Sequence, residues 1–231
     1  MDILEQTKPN KNKWISFLAD GILSGLMLGI GGMVSLSSEN RFLGAFLFSL
    51  GLFCIVQFKY GLFTGKVGYI VNRDLPYVAE TAVTLVGNAL GTLIAALLLR
   101  QVRFFTSTVS TMDVTISDRV QATVSGKIHD NPLSIFILAI FCGILMFTAV
   151  EGSRKCKEEK NFTGSLFVVV MPVMVFIICG FNHCIADMFY YFFAGCPEPS
   201  KAIVYFILAI AGNSVGGMIV PLLKKLSNQL L

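Results

Sequence analysis

Charge is scarce in this chain. Only 14% of its 231 residues are Asp, Glu, Lys or Arg, against roughly 25% in an ordinary globular domain. That leaves too little polar material to cover a water-facing surface, which excludes a soluble domain. Disorder is excluded as well, because it needs low hydrophobicity with high net charge, whereas 55% of residues are hydrophobic and the net charge is +4. So small and dispersed a charge gives nucleic acid no purchase. Cysteine chemistry is also missing. The six cysteines form no CxxC pair, and Cys54, Cys142, Cys179 and Cys184 lie inside apolar runs, where small buried residues belong. No disulfide framework, metal site or other cofactor is expected. The opening MDILEQTKPNKNK is polar and has no apolar core, so no cleavable leader is expected. What is abundant is apolar bulk, including 20 Phe and 21 Gly. A lipid bilayer is the medium that such a chain requires.

About 20 apolar residues cross the hydrocarbon core of a bilayer. Six segments meet that length: 14–36, 42–72, 77–99, 132–151, 164–195 and 202–223. The connections are short apart from 104–131, a polar Ser/Thr-rich stretch with Val-Thr alternation, expected as an ordered or partly ordered external loop. Residues 1–231 read as one membrane domain. An even number of spans puts both termini on one side. That side would carry Lys8, Lys11, Lys13, Arg73, Arg154, Lys155, Lys157, Lys160, Lys224 and Lys225; the other would carry Arg41, Arg100, Arg103, Arg119, Lys127 and Lys201. Ten cations against six place both termini, including the 1–13 tail, in the cytoplasm by the positive-inside rule. The basic run from Arg154 to Lys157 reads as part of that signal.

Two segments are too long and too interrupted for plain helices. Residues 42–72 contain Lys59, Tyr60-Gly61 and then Leu62-Phe63-Thr64-Gly65-Lys66. Residues 164–195 contain Pro172, then Gly180-Phe181-Asn182-His183, with Asp187 beyond. Charged residues inside an apolar run avoid lipid. Non-helical backbone at membrane depth survives only within protein or along a cavity. Two broken helices follow.

The breaks occupy equivalent places. With spans 1–3 and 4–6 taken as halves, each break is the second span of its half. Each third span carries the same short element, Gly87-Asn88-Ala89-Leu90-Gly91 and Gly212-Asn213-Ser214-Val215-Gly216. Three crossings per half invert one half relative to the other. Inverted repeats with paired broken helices point to a transport path near the midplane. The expected fold is an all-α membrane protein, six transmembrane helices in an inverted 3+3 repeat with the second and fifth helices broken.

MPVMVFIICGFNHCIADMF (171–189) resembles the fifth-span signature of the formate/nitrite transporter family. LFTG (62–65) is similar to that family's second-span break, the two G-N-x-x-G elements to its third and sixth spans, and SGLMLGIGG (24–32) to its glycine-rich first span. The likeness runs from about Ser16 to Pro221. It implies an aquaporin-like six-span bundle, a homopentamer with one pore per protomer, conducting small monovalent anions such as formate, nitrite, hydrosulfide or lactate. It implies that Thr64 and His183 are the polar pair of the pore; Asn182, Asp187 and Lys66 in the breaks, and Asn88 and Asn213, whose side chains can bond freed backbone groups, are expected along the path from their matching places in the two halves. Phe48, Leu52, Leu62, Phe63 and Phe176 would form its apolar constrictions.

The polar lining departs from the family pattern. The fifth-span loop usually reads G-F-E-H, with Asn five residues beyond the Glu; here these positions are Asn182 and Asp187. A Lys that commonly opens the fourth span falls near Asn131, with Lys127 the nearest basic residue, and the Asn that usually follows falls at Phe147. Gly61 stands where an acidic residue often precedes L-F-T, and Lys66 is an added cation. The expected transport is of an anion together with a proton, as the neutral acid and dependent on pH. A neutral solute such as urea or an undissociated acid is the alternative.

Plainer readings of the same residues stand beside these. His183 would serve equally as a helix–helix hydrogen-bonding group, Thr64 as a helix cap, and the apolar residues as packing. Lys66 either pairs with Asp187 across the breaks or snorkels to the interface. His129 is expected in solvent, and Asn131-Pro132 at the opening of span four. An enzyme is disfavoured by spans holding one His and no carboxylate or Cys-His cluster. A sensor is disfavoured by the lack of a soluble domain. Asp20 in the first span fits none of these roles.

Overall fold

The computed structural model describes residues 11–109 and 113–230. The expectation for a cytoplasmic 1–13 tail therefore falls mostly outside the described residues. Among the described residues six helices are long and apolar enough to cross a membrane. They are α1 (Lys11–Ser37), α2 (Arg41–Phe58), α4 (Leu75–Leu99), α6 (Pro132–Glu158), α7 (Phe162–Cys179) and α9 (Pro199–Leu230). Three shorter helices complete the set: α3 (Phe63–Lys66), continued as a 3-10 turn over Val67–Asn72, α5 (Ile116–Ile128) and α8 (Cys184–Phe193).

Local chemistry sets the helix starts. Asn40 accepts hydrogen bonds from the N–H groups of Phe42 and Leu43 at the head of α2. Asn131 accepts from Leu133, with Pro132 in the first turn of α6, and Asn161 accepts from Gly164 at the head of α7. These side chains satisfy donors that a helix N-terminus leaves unpaired, and Pro in the first turn gives up an N–H that had no partner anyway. Asn131-Pro132 thus opens the fourth span.

Both interrupted segments are broken. α2 closes on Lys59 in the left-handed conformation (φ 59°), and the chain resumes as α3 at Phe63. α7 closes on Gly180 (φ 71°) and resumes as α8 at Cys184. α7 runs unbroken through Pro172, so the glycine and not the proline ends it.

The two halves repeat one packing scheme. α1 lies against α4 and α2, and α6 lies against α9 and α7. Close approach of the first and third spans depends on the glycines: a methyl at Gly91 would run into the Ile22 carbonyl, and one at Gly216 into the Ile140 carbonyl. Small residues at such crossings let helix backbones touch.

Residues 104–131 hold more than a loop. Thr108–Val109 (β1) pairs antiparallel with Val114–Thr115 (β2), and α5 follows, opened by a reciprocal cap between Thr115 and Asp118. Ile116, Val120, Val124 and Ile128, spaced by four, are buried, and α5 packs on α8, with further contacts to α1 and α9.

Candidate functional site

Each break is pinned by the asparagine of its half's third span. Asn88 Oδ1 accepts from the Phe63 N–H (2.9 Å), and its Nδ2 donates to the carbonyls of Gly21 (2.9 Å) and Gly61 (2.8 Å). Asn213 repeats the pattern. Its Oδ1 accepts from the Cys184 N–H (2.9 Å), and its Nδ2 donates to Ala139 (2.8 Å) and Asn182 (2.8 Å). Both side chains are fully buried. Each ties the first span, the end of the break and the start of the resumed helix together. As the sequence allowed, their amides bond backbone groups that membrane depth would otherwise leave orphaned. They are fasteners of the breaks.

The free carbonyls where α2 and α7 stop are also satisfied by a matched pair. Lys157, at the end of α6, donates to the Val56 carbonyl (2.8 Å), and Arg41, at the start of α2, donates to the Ile178 carbonyl (2.6 Å). A cation suits a helix C-terminus, where carbonyl dipoles point outward. In each case the cation comes from the opposite half.

Between the breaks the halves meet at one polar contact. Thr64 Oγ1 lies 2.9 Å from His183 Nε2, both residues at most 1% exposed. His183 Nδ1 accepts the Ala186 N–H (3.0 Å), capping α8. A nitrogen that accepts from a backbone N–H carries no proton, so in the neutral ring the proton is on Nε2. His183 therefore donates to the Thr64 hydroxyl, and among the described residues Thr64 Oγ1 has no second partner. The imidazole stacks on Phe176 (5.6 Å between centroids), and Phe176 meets the edge of Phe48 (5.6 Å).

Two cavities flank this pair. One, of about 400 Å³, is bounded by Leu62 and lined by Lys59, Lys66, Arg154 and Lys157, with no carboxylate among its described lining residues. The other, of about 450 Å³, is bounded by Phe176 and lined by Arg41, Arg119 and Lys127 together with Glu39 and Asp187. Of the five expected constriction residues, Leu62 and Phe176 face these cavities. Phe48, Leu52 and Phe63 are buried behind them.

Of the two expectations for Lys66, the pairing with Asp187 does not occur. Lys66 Nζ donates to Thr84 Oγ1 (3.1 Å) and lies over the Phe17 ring, 4.5 Å from its centroid. Asp187 pairs instead with Lys127 (3.1 Å) and accepts from the Tyr205 hydroxyl (2.6 Å). Lys127 also donates to Asn182 Oδ1 (2.8 Å), and Asn182 Nδ2 donates to the Ile135 carbonyl (3.1 Å). The reason is geometric. Lys66 and Asp187 stand equally far past their breaks, but inversion sends them into opposite cavities.

Sequence reasoning missed Lys127 and Tyr205 as members of the site. A signal for Lys127 existed: it lies three residues after Val124 and seven after Val120, on the apolar stripe that α5 buries. His129 is exposed, between Glu198 and Lys201. Asp20 is half-buried beside Gly61, on the same side as Lys66.

Six spans, two matched breaks and a dry polar contact between two charged cavities define a helical membrane transport protein. A sequence model of the formate/nitrite transporter family matches residues 4–225, and the chain belongs to that family; it is a transporter and not an enzyme. It is 26% identical over 194 residues to the formate channel FocA of Haemophilus influenzae, covering 79% of this chain and 67% of that one. It is also 26% identical over 225 residues to the uncharacterized transporter YrhG of Bacillus subtilis, covering 88% and 81%. Among solved structures the fold matches a pentameric formate channel with formate bound (TM-score 0.77, 24% identity, 97% of this chain and 100% of that one). It also matches an FNT family ion channel (TM-score 0.73, 17% identity, 90% and 86%).

Proposed function

We propose that this protein conducts small monovalent anions of the formate type, each crossing with a proton as the neutral acid. The observation that carries the reading is the single donor contact, His183 to Thr64, lying dry between two cavities with a cationic surplus. The cations concentrate anions at each mouth. Beyond Leu62 or Phe176 an ion must shed its water, which costs tens of kcal/mol in an idealised apolar medium. Protonating a carboxylate of pKa ~4 at pH 7 costs only about 4 kcal/mol. The neutral acid is therefore the form that crosses, and flux rises as pH falls.

In this mechanism His183 stays neutral. Its Nδ1 is committed to the Ala186 N–H, and becoming imidazolium would break that cap. Its Nε2–H and the Thr64 hydroxyl supply hydrogen bonds to a solute that brings its own proton from the vestibule. The N-terminus of α8 at Cys184 adds a fixed partial positive charge at the same depth. By resemblance to its relatives the chain assembles as a homopentamer. The positive-inside count sets both termini in the cytoplasm, with the protein in the inner (plasma) membrane.

The test is uptake into proteoliposomes of formate, nitrite, hydrosulfide, lactate and urea in parallel, at neutral and mildly acidic pH. Formate-type solutes are expected to enter faster at the lower pH, and His183→Phe to reduce that uptake by about tenfold or more, the equivalent of one lost hydrogen bond of ~1.4 kcal/mol. Uptake of urea alone, unaffected by pH, would show a neutral-solute pore. Unchanged anion flux and pH dependence in His183→Phe would remove the histidine from the mechanism.

A further inference from the structure

A cavity larger than either of the two that flank the Thr64–His183 pair lies away from that pair. It measures about 960 Å³ and sits between the 3-10 turn Val67–Asn72, the start of α4 and the ends of α6 and α9. Its walls carry five cations, Arg73, Arg154, Lys155, Lys224 and Lys225, and one carboxylate, Glu151. The carboxylate is already occupied: it accepts the Tyr69 hydroxyl (2.7 Å) and both the Nε and an Nη of Arg154 (2.9 and 2.8 Å). Lys155 lies 4.0 Å from the same carboxylate. Arg73, Lys224 and Lys225 make no ion pair within the described residues.

Apolar surface lies beside this charge, since Phe147, Val220 and Pro221 form part of the same cavity. Convergent ammonium and guanidinium groups suit a tetrahedral, multiply charged oxyanion, with Arg offering paired donors and Lys point charges. Basic pockets between transmembrane helices on the positive side are suited to phosphorylated head groups.

We propose that this cavity is a binding site for a phosphoryl group, held by Arg73, Lys155, Lys224 and Lys225. The group reaches it either on an anionic lipid or on a small soluble phosphate. The site shares two residues with the cavity beneath Leu62. Tyr69 and Arg154 line both this cavity and the one beneath Leu62, so an anion drawing Arg154 toward it alters the charge at the pore mouth.

The test uses the full chain in nanodiscs of phosphatidylcholine. Thermal unfolding is followed with phosphatidylglycerol doped into the disc, and separately with inorganic phosphate or glycerol 3-phosphate in solution, at ionic strength held constant with chloride. One of the two sources is expected to raise the midpoint, which identifies it, and chloride is expected not to. The triple variant Arg73→Gln, Lys224→Gln, Lys225→Gln is expected to weaken binding of that probe about fivefold for each charge removed, with the midpoint in plain phosphatidylcholine little changed. No rise with either probe overturns the proposal, as does an equal rise in the triple variant. If the triple variant fails to fold, Lys224→Arg, Lys225→Arg decides by retaining the rise, while loss of the rise despite retained charge counts against the site. Native mass spectrometry adds an independent count: phosphatidylglycerol carried by the wild type and shed by the variant supports the lipid source.

Discussion

The first break and the second are built to one plan and finished with opposite charge. Each helix stops on a left-handed residue, each resumes after a short extended stretch, and each is held by an asparagine bonding the same three kinds of backbone group. Past the break, one half offers Lys66 to a threonine hydroxyl and the other offers Asp187 to a lysine and a tyrosine. Backbone demands therefore repeat, because every break at membrane depth leaves the same groups unpaired. Side chains that face a cavity are under no such constraint, and there the halves diverge.

The strongest test of the shared plan removes either fastener. Asn88→Leu or Asn213→Leu leaves three buried backbone groups unpaired, at about 1–3 kcal/mol each. Both variants are expected to fail to give a monodisperse protein in detergent, and to fail alike. A stable variant in one half only, seen by size-exclusion chromatography and thermal unfolding, would break the equivalence.

The difference between the halves is tested by removing their cations. Lys127→Met strands Asp187, a buried carboxylate 4% exposed, and is expected to destabilise by about 3–5 kcal/mol. Adding Asp187→Asn should recover much of that loss. Lys66→Met strands only a hydroxyl, which already donates to the Glu80 carbonyl, so its cost is expected near 1 kcal/mol. Equal losses in the two would show that Lys66 answers a charge as well.

The smallest effect concerns how α5, which carries Lys127, is anchored. Hydrogen bonds from the Thr115 hydroxyl and backbone hold the Asp118 carboxyl below the usual carboxylate range. A depressed folded pKa contributes stability that is complete above the unfolded value, near 4, and lost as pH falls through the folded one. Hydrogen exchange at the start of α5, taken relative to the intrinsic amide rate at each pH, is therefore expected to be flat from neutral to mildly acidic pH and to rise only below about 4. Asp118→Asn should flatten that rise.

Much of this was legible in sequence. The breaks showed themselves because polar residues and glycines inside apolar runs have few explanations, and the repeated G-N-x-x-G fixed their symmetry. Thr64 and His183 were legible through motif likeness. Pro172 misled, since a proline inside a membrane helix need not end it when neighbouring groups satisfy the freed carbonyl. Whether Lys66 meets Asp187 stayed open in sequence, because opposite charges in two breaks look like partners until the fold places them in separate cavities. Lys127 stayed hidden because α5 is short and polar on average, and one half-buried lysine on its apolar stripe is easily counted as surface.

The asparagine fasteners also bear on how the protein is made. Each break is completed by a residue on the last span of its own half, so neither can be finished while that span is still in the ribosome. The first half can close its break once Asn88 has entered the bilayer. The Thr64–His183 contact, joining residues 119 apart in the chain, must wait for Asn213. The two breaks can thus close in chain order, and the contact that joins the halves can form only after both.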